Sequence, residues 1–458
     1  MNRVIARSRI LLILVLVLAV GSGFFVGEYF ARADSWVLTT GSPHIYNASN
    51  IGCGLITDRE GILLVDLTGE RTYSPVASLR MGSLHWVGDR QGNISAPALT
   101  CYSQQIAGFD PVSGLYAFGG TGGRVTMSLS ARIQAAAVEA MGSYKGTIAV
   151  YNYKTGEILC AVSTPTFDPD NMPDIHGDEI GIYEGVFVNR FTQSTFIPGS
   201  IYKIVTAAAA LETIPDIQQQ TFTCTGVQEY PGDYDVTCLQ VHGQITFRDA
   251  FAHSCNCAFA QIADQLGGET LQRYAELFGL TAQLQFDGVT TAAGNIETTG
   301  VSQVSVAWSA VGQYKDTVNP CTFMRFMGAI AGGGVGANPY VVSGIQVGNT
   351  TTYTAQTQRT ERMLSTETAQ ILQEMMRNNV LIMYGAENFP GLTVCAKSGT
   401  AEVGGDKKPN AMFAGFVDDE AYPLAFIVAV EDGGYGKATC VPILSQVLAV
   451  CKEVMDDK

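Results

Sequence analysis

The chain has 458 residues, 47% hydrophobic and 15% charged, with a formal net charge of -15. This composition excludes a largely disordered polypeptide, and so long a chain outgrows one compact core, so two folded units of unequal size are expected beside any membrane segment. The acidic balance argues against a nucleic-acid partner, because phosphate binding relies on basic surface that displaces counterions.

Arg3, Arg7 and Arg9 precede an uncharged stretch over residues 10–27. Its length, about 18 residues, is just sufficient to cross a bilayer as a helix. Positive charge on the N-terminal flank predicts a cytoplasmic tail at 1–9, a membrane anchor at 10–30 and an exported remainder. The rival is a cleaved signal, since Ala31-Arg32-Ala33 fits a small-residue cleavage pattern. The dense apolar run stops at Val20, far from that site, which favours the retained anchor.

Residues 35–141 alternate short apolar runs with glycine, serine and proline, as in Gly52-Cys53-Gly54-Leu55-Ile56 and Gly61-Ile62-Leu63-Leu64-Val65. Short strands joined by turns are predicted, forming a smaller membrane-proximal domain without a catalytic cluster. It closes on an alanine-rich helix over 130–141.

A second domain is expected over 142–458. Residues 146–151 and 158–162 flank the turn Lys154-Thr155-Gly156-Glu157 and read as a β-hairpin. Strands are also predicted at 411–417 and 424–430, with a helix over 443–455. Between them, helices are clearest at 200–211, 271–278 and 366–378. A fold of class α+β follows, its sheet assembled from both ends of the domain around a helical middle.

The sharpest local feature is Pro198-Gly199-Ser200-Ile201-Tyr202-Lys203. Pro198 and Gly199 mark a turn, and Ile201, Ile204, Val205, Ala208 and Leu211 then recur at helical spacing. Ser200 opens the helix and Lys203 shares its face. A serine hydroxyl needs a base to become a nucleophile, and a buried lysine that loses its proton can serve. By itself an S-x-x-K is more simply a helix cap beside a solvated lysine.

Two further motifs change that balance. Ser254-Cys255-Asn256 offers a hydroxyl that can relay a proton and an amide that can hold a peptide backbone. Lys397-Ser398-Gly399-Thr400, led into by apolar residues, offers a cation, hydroxyls for a carboxylate and a glycine that lets substrate approach the backbone. Lys154-Thr155-Gly156 also matches K-[ST]-G, but it falls at the hairpin turn and is assigned to turn chemistry. No G-x-S-x-G is present, which disfavours an α/β-hydrolase.

Eleven cysteines are scattered along the chain. Their odd number leaves at least one without an intramolecular partner. Cys224 and Cys238 flank a turn-rich segment, and a disulfide and two free thiols remain equally open. Without C-x-x-C pairs or H-E-x-x-H, the sequence supports no metal site.

The order S-x-x-K, S-x-N, K-[ST]-G resembles the penicillin-binding proteins and serine β-lactamases. Gly123-Arg124-Val125-Thr126-Met127-Ser128 with Gln134, Asn189-Arg190, Ala310-Val311-Gly312-Gln313 and Asn319-Pro320 extend the resemblance to class B penicillin-binding proteins, from Gly123 to the C-terminus. Ser-Ile-Tyr-Lys where the family often has Ser-Thr-Phe-Lys, and Met412 where tryptophan is frequent, are departures that remove no catalytic group.

The resemblance implies a β-lactamase/transpeptidase-like domain that cross-links peptidoglycan stem peptides and is acylated by β-lactam antibiotics, with no cofactor. It implies Ser200 as nucleophile, Lys203 as base, Ser254 and Lys397 in proton relay, and Asn256, Ser398, Gly399 and Thr400 in substrate binding. The segment before Gly123 is short for a glycosyltransferase, so a separate membrane glycan polymerase is the implied partner. The alternatives are a D-Ala-D-Ala carboxypeptidase or β-lactamase, which use water as acceptor, and an inactive penicillin-binding sensor or scaffold.

Overall fold

The computed structural model describes residues 2–37, 54–68, 70–102, 106, 109–110, 115–116, 122–175, 177–232 and 234–457. The first element is a helix, Asn2–Val37, whose side chains over 4–26 are exposed. Val4–Ala31 contains an 18-residue window with a mean hydropathy of 2.8 and is long and apolar enough to cross a membrane. The helix continues through Ala31 and Arg32, past the small-residue pattern noted in the sequence.

The main sheet is antiparallel, with five strands in the order Val394–Ala401, Asn410–Val417, Leu424–Glu431, Lys145–Asn152 and Ile158–Thr164. The hairpin from the start of the domain and the strands from its end join where Leu424–Glu431 pairs with Lys145–Asn152. Both faces are covered, so these strands are almost continuously apolar instead of alternating with polar residues.

The two faces differ in side-chain size. Ile148, Val150, Phe413, Phe426 and Val428 pack with Leu444 and Val447 of the Gly436–Asp456 helix and Ile133 of Ala131–Met141. The opposite face carries Ala149, Ala414, Ala425 and Ala429 among bulkier residues, and meets the Pro320–Ala331 helix and the helices of the middle segment. Small residues let those helices approach the sheet closely.

Residues 35–141 hold more helix than their punctuation suggested. Beside the strands Leu55–Thr57, Leu63–Asp66 and Thr72–Tyr73 lies an 11-residue helix, Ala77–Val87. Gly82, which reads as turn punctuation, sits inside that helix because a Cβ there would lie 3.0 Å from Gln134 Cβ. Trp86 anchors it by donating its indole N–H to the Ala161 carbonyl at 2.7 Å. A second sheet runs Thr350–Thr354, Val342–Val347, Gly123–Met127, Leu55–Thr57, Leu63–Asp66, Thr72–Tyr73. It draws strands from both sides of residue 141. The segment 38–53, including the first part of the Gly52–Ile56 run, lies outside the described residues.

Candidate active site

Ser200 lies on a 3₁₀ turn, Gly199–Tyr202, that runs directly into the α-helix Lys203–Thr213. In a 3₁₀ turn residues i and i+3 eclipse, which brings Ser200 and Lys203 closer than α-helical spacing would. The turn is backed closely by the loop at Gly312. Gly199 N–H donates to the Gly312 carbonyl at 2.8 Å, and Gly312, at φ 81°, has no room for a side chain, since a Cβ would meet Gly199 O at 1.9 Å.

Lys203 is fully buried, and its Nζ lies 3.1 Å from Ser200 Oγ, 2.9 Å from Ser254 Oγ, 2.7 Å from Ser254 O and 2.6 Å from Asn256 Oδ1. Burial pushes its pKa down to about 7, which sets roughly 5 kcal/mol against the charged form. A neutral amine fits this shell. Its two N–H groups serve the two carbonyl oxygens, which only accept, and its lone pair is left for a hydroxyl.

Ser254 is held at φ 57°, a left-handed conformation rare for serine. The following residue, Cys255, caps the Asn256–Leu266 helix by accepting the Ala258 N–H at its Sγ. Ser254 and Asn256 are thereby turned toward the same lysine. The Asn256 amide also donates to the Thr237 carbonyl at 2.8 Å.

Lys397 is on the outermost strand of the main sheet and 1% exposed. Burial, and then the charge of Lys203, hold its pKa well below the ordinary lysine value. Alternation along the strand separates the last motif into two sets. Lys397 and Gly399 face the Ser200 turn, where a Cβ on Gly399 would lie 2.6 Å from Pro198 O. Ser398 and Thr400 face away and already have partners. Ser398 Oγ is 3.0 Å from Tyr384 Oη, and Thr400 Oγ1 accepts the Gly436 N–H at 3.2 Å. The Ser398 N–H, turned off the sheet edge, donates to Tyr384 Oη at 2.8 Å. The same alternation turns the Thr400 N–H off that edge, beside the Ser200 turn. Lys154, in the other K-[ST]-G, is exposed in the hairpin turn.

These three segments converge on one buried lysine pair beside one serine. The family profile described as the penicillin-binding protein transpeptidase domain matches residues 146–449. The chain belongs to this family. Peptidoglycan D,D-transpeptidase PbpA of Mycobacterium tuberculosis is 28% identical over 337 residues, covering 68% of each chain. The D,D-transpeptidase domain of a peptidoglycan glycosyltransferase from Eggerthella lenta superposes with a TM-score of 0.75 at 26% identity, over 87% of this chain and 98% of that one. Penicillin-binding protein A from M. tuberculosis, solved as a ceftriaxone acyl-enzyme, gives 0.76 at 24% identity, over 89% and 98%, and shares the fold.

Two features of this penicillin-binding protein were not evident in its sequence. Tyr384 ends a π-helical turn, Val380–Tyr384, and its role emerges only when the helix meets the Lys397 strand. The second is a cluster of potential metal ligands. Cys224, Cys238, His242 and Cys255 place their side-chain donor atoms within 4.8 Å of one another, a grouping that the sequence motifs did not indicate. The four come from a strand end, one loop and a helix cap, so no compact motif announces them; the Cys238-x₃-His242 spacing was the one local signal. Cys224 and Cys238 are free thiols.

Proposed function

We propose that the protein is a serine-type peptidoglycan D,D-transpeptidase in which Ser200 forms the acyl-enzyme. The observation that carries this reading is the buried Lys203 amine 3.1 Å from Ser200 Oγ. Ser200 Oγ attacks the penultimate D-alanine carbonyl of a stem peptide as its proton passes to Lys203. The C–N bond to the terminal D-alanine then breaks, and that amine leaves with a proton delivered through Ser254 and Lys397. The amine of a neighbouring stem attacks the Ser200 ester, forms the cross-link and returns the proton to Ser200.

Helix starts leave N–H groups without intrahelical partners, so the Ser200 N–H together with the Thr400 N–H would form the oxyanion hole. Asn256 orients the donor peptide, Gly399 permits its close approach, and the half-buried hydroxyls of Ser398 and Thr400 would exchange their Tyr384 and Gly436 partners for a carboxylate bound along the other side of the strand. Residues 142–458 would be the catalytic unit and 35–141 a membrane-proximal unit. The apolar helix would anchor the chain with its N-terminus cytoplasmic, and a separate membrane glycan polymerase would supply the strands.

The test uses the full chain in detergent with a β-lactam and with a thioester stem-peptide mimic plus an amine acceptor. A single adduct mapped to Ser200, lost in Ser200→Ala, and amine-dependent product are expected. An adduct on another serine would overturn the site assignment. Thioester hydrolysis without aminolysis would move the reading to a carboxypeptidase.

A further inference from the structure

Behind the Ser254 turn, the segment from 221 to 246 folds as two small ribbons separate from both large sheets: Thr221–Cys224 with Gly243–Thr246, and Val227–Gln228 with Val236–Thr237. Two-stranded ribbons are marginal in water without additional packing. The strands pack through Phe222, Val236 and Ile245, but the loop that joins the two ribbons leaves Leu239 91% and Val241 71% exposed. That loop, which carries Cys238 and His242 at its two ends, has no apolar burial at Leu239 or Val241 to fix it, so its order calls for another source of cohesion.

The four side chains of the cluster lie where the ribbons meet the active site. Cys224 ends one strand, Cys238 follows another, His242 precedes a third, and Cys255 caps the helix that begins at Asn256. His242 Nδ1 is 3.4 Å from Cys224 Sγ and 3.7 Å from Cys238 Sγ. One ring nitrogen carries either one proton or one lone pair, so Nδ1 directs a single hydrogen bond, and Cys224 Sγ also lies 3.5 Å from the Gln240 carbonyl. Tetrahedral zinc arms of about 2.3 Å to sulfur and 2.0–2.1 Å to nitrogen put neighbouring S and N ligands about 3.6 Å apart. The two distances bracket that value.

We propose that Cys224, Cys238, His242 and Cys255 form a structural Cys₃His zinc site that staples the ribbons to the Ser254–Asn256 turn. Binding releases the three thiol protons and leaves four protein ligands with no open position, the arrangement of a structural rather than a catalytic zinc. Cys255 is a ligand while its two neighbours, Ser254 and Asn256, contact Lys203. Cys238 follows Thr237, whose carbonyl holds the Asn256 amide. The ion thus fixes both sides of the turn that positions the lysine's partners, without touching substrate.

The experiment takes the full chain in detergent, purified without chelator and dialysed against micromolar zinc. One zinc per chain by elemental mass spectrometry is expected, with X-ray absorption reporting about three sulfurs near 2.3 Å and one nitrogen. Cys238→Ser and His242→Ala should lose the metal, while Cys257→Ser, outside the cluster, should retain it. Absence of stoichiometric zinc, a Cys224–Cys238 disulfide by intact mass, or zinc retained in both ligand variants would overturn the proposal. Should the variants not fold, the stoichiometry and absorption spectrum of the unaltered chain decide alone. The positioning role rests on the proposed Ser200 chemistry and has its own readout. Chelator-stripped protein should acylate at least roughly tenfold more slowly and recover on zinc addition. Stoichiometric zinc with no change in acylation on its removal would overturn that role and leave the site standing.

Discussion

Lys203 meets Ser200 across a single 3₁₀ turn, with Nζ and Oγ 3.1 Å apart in a pocket closed to solvent around the lysine. Burial is what lowers its pKa to about 7, so its charge state changes within the range where a β-lactam reaction can be followed. Below that value the ammonium has no lone pair for the Ser200 proton. Acylation by a penicillin should therefore rise about tenfold per pH unit up to about 7 and level off above it. Stopped-flow acylation rates across this range check the sign, and a flat profile would remove Lys203 as the base. Stability carries the same sign. The unfolded lysine keeps its proton to about 10.5, so between the two values the unfolded chain binds more protons and stability rises with pH.

The two K-[ST]-G lysines should behave differently. Lys397 is 1% exposed and faces the Ser200 turn, whereas Lys154 is solvated. Lys397→Ala should slow acylation about 10²-fold or more, the scale of a lost proton-transfer group, and Lys154→Ala should stay within about twofold. Comparable losses in both variants would mean that burial beside Lys203 does not distinguish them.

Gly312→Ala tests the backing of the Ser200 turn. The added methyl would fall 1.9 Å from the Gly199 carbonyl at a φ of 81°, so strain and overpacking combine. A loss of about 2–4 kcal/mol is expected, together with slower acylation as Gly199 is displaced. Thermal unfolding in detergent and penicillin labelling on the same sample measure both. An unshifted midpoint would show that the turn can yield.

Tyr384→Phe keeps the ring but removes the hydroxyl that accepts the Ser398 N–H and meets Ser398 Oγ. The Ser398 N–H is part-buried, so leaving it without its partner costs up to the roughly 1–3 kcal/mol of a buried donor. The variant should be less stable by that amount and should bind β-lactam more weakly, with a smaller change in the first-order acylation step. Separating affinity from rate by concentration dependence checks this. A pure rate defect would place Tyr384 nearer the chemistry than the geometry does.

The three motifs were legible because each carries its chemistry in a short run. Pro198-Gly199 before a helical repeat marks the Ser200 turn, and apolar residues before Lys397 mark a strand. The hairpin over Lys145–Thr164, the strands Asn410–Val417 and Leu424–Glu431, and the helices near 271 and 366 were readable for the same reason, since local periodicity set them. The helix Ala77–Val87 was not, because Gly82 breaks its local pattern and only packing against Gln134 explains it.

What sequence order alone determined was the identity and order of the three motifs proposed to react, which depend on neighbours three or fewer residues apart. Tertiary structure decided how they are used. Burial moves the proton affinities of Lys203 and Lys397, and strand alternation sends Lys397 and Gly399 one way and Ser398 and Thr400 the other. Chain folding gathers Cys224 from a strand end, Cys238 and His242 from one loop, and Cys255 from a helix cap. Desolvation and proximity are properties of the folded chain as a whole, so a residue's chemistry can be read locally while its charge and its partners cannot.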